Sequence, residues 1–266
     1  MSEGPSKAFV PSFGSSVMAH ARLGFVRTVR GRKLRLGLIA TVLVVVAAVA
    51  SRYLADDAEP ANVVKTAVQL GFFWMLAFLL PFLFASGAIA EEVENRTLTF
   101  LATRPSGRLA LTLGKLLVAW TFSAGLLVAG VLVLHVGAYA TTPSDMIDEI
   151  GDTMRAAGAL ALLAACYCAI CLFWGALVVE ASGLVSTLHL ASLEFVFGFL
   201  PGVARFVSMN YFCQQLAGLD RAGFGSDWVP DLSLGVCGAI VGGVTILFIV
   251  LSATVVETSE VGFGRA

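Results

Sequence analysis

The chain has 266 residues, of which 58% are hydrophobic and only 13% are charged, and its mean hydropathy is +0.88. Its charged residues fall into clusters between long apolar runs, whereas a soluble domain spreads charge over its surface, so the composition excludes a soluble globular protein. The formal net charge of −1 excludes little, because a membrane protein sorts charge by side of the membrane. Several apolar runs reach the roughly 20 residues that a helix needs to cross the hydrocarbon core. We therefore predict an all-α, polytopic membrane protein.

The first 35 residues predict a polar tail followed by an amphipathic helix. Residues 1–16 contain Gly and Pro and are interpreted as a flexible tail. Residues 17–35 are predicted to form a helix in the plane of the membrane surface, because basic residues face away from an apolar stripe. That stripe consists of Met18, Ala21, Phe25 and Val29. A plain basic anchor before the first span is the alternative interpretation.

Residues 36–256 are predicted to form a six-span transmembrane domain. The six apolar runs are Leu36–Leu54, Ala67–Ala90, Leu109–Ala140, Ala156–Val179, Leu184–Leu200 and Ser233–Val256. Pro81 is expected to kink the second span. The longest loop, Pro201–Asp231, carries apolar residues at helical spacing, so part of it is expected to enter the membrane interface. Residues 257–266 form a predicted cytoplasmic tail.

The distribution of basic residues predicts the orientation. With both termini in the cytoplasm, twelve Lys and Arg residues lie inside and five outside. Cytoplasmic segments carry the excess of Lys and Arg. We therefore place both termini, and the loop between spans 2 and 3, on the cytoplasmic side of the inner (cytoplasmic) cell membrane.

The loop between spans 2 and 3, Glu91–Lys115, carries seven charges between two apolar runs. Val93, Thr97, Phe100 and Leu101 recur at helical spacing, which predicts one short helix lying along a surface. Acidic residues stand at its start and basic residues at its end, as the helix dipole favours, and Pro105 ends it. Membrane insertion does not require such an element, so we interpret it as a docking surface.

This arrangement resembles that of type-2 ATP-binding-cassette (ABC) transporter permeases. The shared features are a basic amphipathic N-terminal helix, six spans and a cytoplasmic helix between spans 2 and 3. The residues that match the family motif are Ala88-Ile89-Ala90, Glu91-Glu92, Thr97-Leu98, Pro105, Arg108 and Gly114-Lys115. Arg96 departs from it, because many relatives have Gly there. The similarity covers nearly the whole chain in topology but only residues 88–115 in motif.

The resemblance implies a function. In this family the helix between spans 2 and 3 is a coupling helix, which docks on a separate ATPase subunit and transmits its closure to the spans. The residues that the resemblance assigns to coupling are Glu91, Glu92, Glu94, Arg96, Thr97, Leu98, Phe100, Leu101, Arg104, Pro105, Arg108 and Lys115. It further implies a second permease copy, identical or not, two ATPase subunits that carry ATP and Mg, and export rather than import. No cofactor bound by this chain and no nucleic-acid partner are expected.

The sequence also predicts that the chain does not hydrolyse ATP by itself. A phosphate-binding loop has the pattern GxxxxGK[ST]. Here Gly114-Lys115 is followed by Leu116, and Leu109 stands where the first Gly belongs. The chain is therefore expected to be a transporter subunit rather than an enzyme.

Two alternatives belong to other functional classes. Glu91-Glu92-x-x-x-Arg96 matches the EExxxR motif of intramembrane CAAX-type proteases. Those proteases also have Phe four positions before a histidine, whereas valine stands there before both His135 and His189. The missing His motifs disfavour a hydrolase. A membrane scaffold or sensor that does not transport is the second alternative.

Glu194 is predicted to lie in the middle of span 5, where a carboxylate costs about 2–3 kcal/mol unless it is protonated or paired. His189 and Arg205 are conceivable neighbours. We therefore mark Glu194 and His189 as intramembrane polar residues. The sequence does not decide whether Glu194 forms a structural hydrogen bond to another span or takes part in the transport path.

The cysteines and a glycine pair complete the candidate features. Three cysteines of span 4 point in different directions on a helix, so apolar packing is favoured over a metal site. They are Cys166, Cys168 and Cys171. Cys213 and Cys237 could form a disulfide near the outer face. Gly238-x-x-x-Gly242 permits close helix packing, either within one subunit or across a dimer.

Overall fold

Helices make up the regular structure of the part of the chain that the computed structural model describes, which is residues 12–54, 59–90, 108–198, 200, 202–219 and 232–258. These residues contain no β-strand. The predicted all-helical class is therefore confirmed for the described part of the chain.

The first helix, α1 (Phe13–Arg30), begins four residues before the predicted start at Val17. Ser12 caps it, because its side-chain oxygen accepts a hydrogen bond from the Ser15 N–H at 3.3 Å. Gly31 ends it in an extended conformation, and its N–H donates to the Thr28 carbonyl. The short break at Gly31 separates α1 from the first span.

The remaining helices follow in chain order. They are α2 (Arg32–Leu54), α3 (Pro60–Ala85), α4 (Arg108–Ala138), α5 (Pro143–Asp148), α6 (Ile150–Leu177), α7 (Ser182–Leu190), α8 (Met209–Ala217) and α9 (Leu234–Thr258). Among the described residues, five helices are long and apolar enough to cross a membrane, namely α2, α3, α4, α6 and α9.

The predicted fifth span corresponds to α7, which continues into a π-helical segment, Ala191–Phe197. Together these two segments cover residues 182–197, fewer than the roughly 20 residues that a straight span needs. The chain then continues through a 3₁₀ turn (Gly202–Val207) into α8. The six-span count is therefore not confirmed. The loop after it contains α8, and the predicted entry of this loop into the membrane interface stays a prediction.

Helix α3 also contains a π-helical segment, Ala67–Leu76. Pro81 lies inside the α-helical segment that follows it. Proline has no N–H to donate, so the carbonyl of Ala77, four residues earlier, loses its usual helical partner. Helical irregularity in the second span is thus broader than the single kink that the sequence predicts.

Helix α6 lies at the centre of the bundle and is the most buried of the five long helices. It packs against α3, α4, α7, α8 and α9. Its buried side chains include Leu160, Leu163 and Tyr167. In contrast, α2 and α9 expose large apolar side chains such as Leu43 and Ile246. Those outward faces suit contact with lipid or with another membrane subunit.

The bundle has two chemically different ends. At one end, Arg27, Arg32, Lys33 and Lys115 line a common cavity, and we call this the basic end. At the other, Glu149 and Asp152 line a cavity together with Lys65 and Gly218, and we call this the acidic end. The C-terminus of α8 lies at the acidic end.

Candidate functional site

Glu194 lies in the π segment after α7, and its side chain is only 4% exposed. It accepts a hydrogen bond from Ser208 Oγ at 2.5 Å and from the backbone N–H groups of Met209 and Asn210, each at 3.0 Å. The first N–H groups of a helix have no partner within it. The carboxylate therefore caps α8 from another element of the bundle, which satisfies a buried acid and a buried helix end together.

Ser208 completes this cap. Its hydroxyl donates to Glu194 and accepts from the Tyr211 N–H at 3.2 Å, which makes it the N-cap of α8. A negative charge at a helix N-terminus also interacts favourably with the helix dipole. The N-terminus of α8 is therefore a suitable environment for a carboxylate that is otherwise withdrawn from water.

The C-terminus of α8 is held by a charge of the opposite sign. Arg155, from the first turns of α6, donates from Nε to the Leu216 carbonyl at 2.6 Å. Gly218 ends the helix with a positive φ of 73°, a conformation that glycine adopts without strain. A side chain at Gly218 would approach the Arg155 guanidinium to 2.8 Å, so the glycine also leaves room for the arginine.

A line of amide side chains joins α8 to α3. Asn210 donates from Nδ2 to the Phe73 carbonyl at 3.2 Å, and Gln214 donates to Asn210 Oδ1 at 3.1 Å. Gln69 in turn donates to Gln214 Oε1 at 3.4 Å. Phe73 and Gln69 both belong to the π segment of α3. The polar layer therefore connects the two π segments through α8.

The two π segments also approach each other directly. The ring of Phe195, next to Glu194 in sequence, lies 5.6 Å from Trp74 and 5.9 Å from Phe78, measured between ring centroids. π-Helical segments are rare and occur often at functional sites. We define the polar site as Glu194, Ser208, Asn210, Gln214 and Gln69, with Arg155 at the far end of α8.

The polar site contains one acid and several hydrogen-bonding side chains. The Tyr167 hydroxyl of α6 faces Glu194 without reaching hydrogen-bond geometry. Among the described residues, no group of three or more His, Cys, Asp or Glu side chains is placed to hold a metal ion. The arrangement satisfies the buried Glu194 carboxylate and anchors both ends of α8 in the bundle.

The hydrogen bonds described above for Glu194 involve neither of the two conceivable neighbours, His189 and Arg205. His189 packs between Trp174 and Phe248, with ring centroids 5.5 and 6.0 Å away, and is absent from the hydrogen bonds of the carboxylate. Arg205 donates from Nε to the Leu200 carbonyl at 2.9 Å. The polar residues of α8 were not predicted from the sequence, although Ser208 and Gly218 are recognisable start and stop signals for a short helix.

Most residues assigned to ATPase coupling lie outside the described part of the chain. These are Glu91, Glu92, Glu94, Arg96, Thr97, Leu98, Phe100, Leu101, Arg104 and Pro105. Arg108 is the first residue of α4, and Lys115 lies two turns further on, in the wall of the basic cavity. The coupling assignments therefore stay predictions.

Helix α1 packs on the start of α4 at the basic end. A methyl group at Gly114 would lie 2.7 Å from His20 Cβ and 3.0 Å from the Val17 carbonyl oxygen. Phe25 contacts Phe122 with ring centroids 4.9 Å apart. Of the predicted apolar stripe, Met18, Phe25 and Val29 remain exposed, although the Phe25 ring also contacts α4.

The remaining histidine and the cysteines have structural environments. His135 accepts from Thr153 at Nδ1 (2.8 Å) and donates from Nε2 to the Met146 carbonyl (3.0 Å), which ties α4 to α5 and α6. The three cysteines of α6 are free and fully buried in the core, the packing role expected of them. Cys213 and Cys237 are also free, so the disulfide that the sequence left open is not formed.

Comparison with known proteins identifies the family. A family model described as "ABC-2 family transporter protein" matches residues 29–201, which is more than half of the chain. The match runs from the last turn of α1 to four residues beyond the π segment that carries Glu194, and therefore ends before α8. A comparison with curated proteins gave no match. The chain therefore belongs to the ABC-2 transporter family and is a multi-pass membrane permease.

Proposed function

We propose that the chain is the membrane subunit of an ABC exporter and couples ATP hydrolysis by a separate ATPase to substrate movement. In this proposal both termini and residues 91–107 are cytoplasmic, and the acidic end faces outward. ATP and Mg bind to the partner ATPase. The twelve-to-five distribution of basic residues supports the orientation.

The observation that supports this proposal is the path of α3, which runs between the predicted coupling stretch and α8. Its basic end leads within a few residues to Glu91, the start of the predicted coupling stretch. Its π segment, in the middle of the helix, is bonded to α8 through Phe73 and Gln69. A displacement at the coupling stretch can therefore reach α8 along one continuous element. Helical segments with irregular backbone are a common feature of transport paths.

The polar site acts as the outer gate in this mechanism. In the closed state, Glu194 and Arg155 hold the two ends of α8 against the bundle. When the ATPase subunits close, α3 shifts and its hydrogen bonds to Asn210 and Gln214 break. Helix α8 then moves and the path opens outward. Interfaces of this kind switch between discrete arrangements rather than deforming continuously.

A dimer of permease subunits completes the proposed transporter. Methyl groups added at Gly238 or Gly242 of α9 would meet no described atom within 4 Å. The close packing that this glycine pair permits is therefore not used within the described part of the subunit. Its outward position supports a contact across a dimer, which leaves α9 free to pack on a second permease copy.

The decisive experiment compares two double variants of the tagged protein purified from membranes. Phe100→Ala with Leu101→Ala changes the predicted docking face, and Val133→Ala with Val136→Ala changes an exposed apolar pair on α4, outside both proposed interfaces. We expect the first variant to insert normally but to lose the co-purifying ATPase and its activity, whereas the control retains both. Equal ATPase recovery with both variants would contradict docking at residues 91–115.

A second measurement separates transport from the alternatives. The purified chain, freed of other subunits, is expected to show no nucleotide hydrolysis. Hydrolysis by the isolated chain would contradict the proposal that a separate subunit hydrolyses ATP. If no ATPase co-purifies with wild-type protein, a scaffold function becomes the better interpretation.

A further inference from the structure

The basic cavity has a lining that coupling to an ATPase does not explain. Its volume is about 280 Å³, and residues of α1, α2, α3 and α4 line it. Because several elements form its walls, it is a built cavity rather than one solvated helix face. We propose that it binds the phosphate-bearing headgroup of an anionic phospholipid in the cytoplasmic leaflet.

The first observation that supports this proposal is the positive charge of the cavity lining. Four cationic side chains line the cavity: Arg27 from α1, Arg32 and Lys33 from the start of α2, and Lys115 from α4. The described lining residues include no Asp or Glu, and the sequence has none from residue 4 to residue 55. Arg27, Lys33 and Lys115 also have further interactions within the protein. Such a cluster attracts an anion.

The apolar part of the lining points to a lipid rather than a free ion. Phe84 and Ala88 of the α3 end, with Val118 and Ala119 of α4, contribute apolar surface opposite the cations. A phospholipid presents a phosphate at one end and hydrocarbon at the other, so it matches both parts of the lining. Basic pockets between membrane helices bind anionic headgroups in this way.

The exposed face of α1 places the cavity at the right depth. Met18 and Leu23 are 65% and 66% exposed, and Phe25, Val26 and Val29 are exposed as well. A basic helix with such a face lies in the membrane surface with its apolar side among the acyl chains. The cavity at its C-terminus is then level with the headgroups.

The test measures lipid retained by the protein after extraction from bilayers that contain phosphatidylglycerol and phosphatidylcholine in equal amounts. The cavity variant is Arg27→Gln with Lys33→Gln. The matched control is Arg22→Gln with Arg30→Gln, which removes the same charge from α1 outside the cavity lining. We expect roughly a tenfold loss of preferentially retained phosphatidylglycerol in the cavity variant and little change in the control.

Three results would overturn the proposal. Equal loss in both variants would mean that general attraction to the membrane surface holds the lipid. Displacement of phosphatidylglycerol by millimolar inorganic phosphate, with the same thermal stabilisation, would assign the cavity to a free anion. A gain of lipid in Glu91→Gln with Glu92→Gln would mean that the chain's own carboxylates fill the cavity in the native protein.

Discussion

Glu194 and Arg155 hold opposite ends of the same short helix, α8. The Glu194 carboxylate accepts from the N–H groups of Met209 and Asn210, and the Arg155 guanidinium donates to the carbonyl of Leu216. Each charge has the sign that the nearby helix end favours. The two residues come from different elements of the bundle, so α8 keeps its position only while both elements keep theirs.

Replacing Glu194 is expected to loosen α8. Glu194→Gln retains one acceptor but turns the other oxygen into a donor that faces backbone N–H groups, so about 2 kcal/mol of stability should be lost. Glu194→Ala removes both acceptors and should cost more. Thermal unfolding in detergent measures the loss, and Glu180→Gln, in the exposed turn before α7, is the control. A melting temperature for Glu194→Gln equal to that of Glu180→Gln would contradict the capping role.

Combining Glu194→Gln with Arg155→Gln tests whether α8 moves as a unit. Arg155 is exposed, so its substitution alone should cost about 1 kcal/mol or less. Residues that do not touch each other normally contribute additively. We expect the double variant to lose less than the sum, because a helix detached at one end gains little from its other anchor. Strict additivity would show that the two ends are held independently.

The helix bundle itself was largely predictable from the sequence. Long apolar runs give helix positions directly, and α4 (Arg108–Ala138) matches the predicted third span within two residues at each end. Helix α6 begins at Ile150 rather than Ala156 because polar residues continue it beyond the apolar run. Apolarity reports where a helix is buried in lipid, whereas hydrogen bonding decides where it starts.

The polar site was not predictable in the same way. The cost of burying Glu194 singled it out, but its conceivable partners were the titratable residues nearby in sequence, His189 and Arg205. Two of its three described hydrogen-bond donors are backbone N–H groups of α8, which every sequence supplies and no residue type marks, and the third is the Ser208 hydroxyl. The π segments have no recognised sequence signal either. The bounds of α8 can be predicted from the sequence, because Ser208 and Gly218 are typical cap residues.

Close helix packing gives a matched pair of glycine substitutions on α4. A methyl group at Gly130 would approach Thr41 Cγ2 to 2.6 Å and Phe72 Cε1 to 2.8 Å, whereas one at Gly125 would meet no described atom within 4 Å. Gly130→Ala should therefore destabilise the bundle by about 1–3 kcal/mol. Gly125→Ala should be neutral or slightly stabilising, because alanine favours a helix. Similar melting temperatures for the two variants would contradict the packing of α2 and α3 on α4.

Tyr139, at the acidic end, should titrate late. Burial, followed by the charges of Glu149, Asp145, Glu59 and Asp152, raises the pKa of Tyr139 to about 12. The folded protein thus holds this proton more tightly than the unfolded chain, whose tyrosine pKa is about 10. The contribution of Tyr139 to the free energy of unfolding is fully present below pH 10 and is lost as the pH rises through about 12. The tyrosinate absorbance of wild type minus Tyr139→Phe measures it, and a difference titrating near pH 10 would contradict burial among carboxylates.

The orientation of the bundle can be tested at its two ends with single cysteines. Asp145 lies exposed in α5 at the acidic end, and Ser106 lies in the sequence just before α4, on the predicted cytoplasmic side. The native cysteines 166, 168, 171, 213 and 237 are all buried, so they contribute little background to a membrane-impermeant thiol reagent. In intact cells we expect labelling of Asp145→Cys and none of Ser106→Cys, and after the membrane is opened we expect both to react. The opposite pattern in intact cells would invert the bundle, place α1 and its basic cavity outside, and remove the ATPase-docking stretch from the cytoplasm.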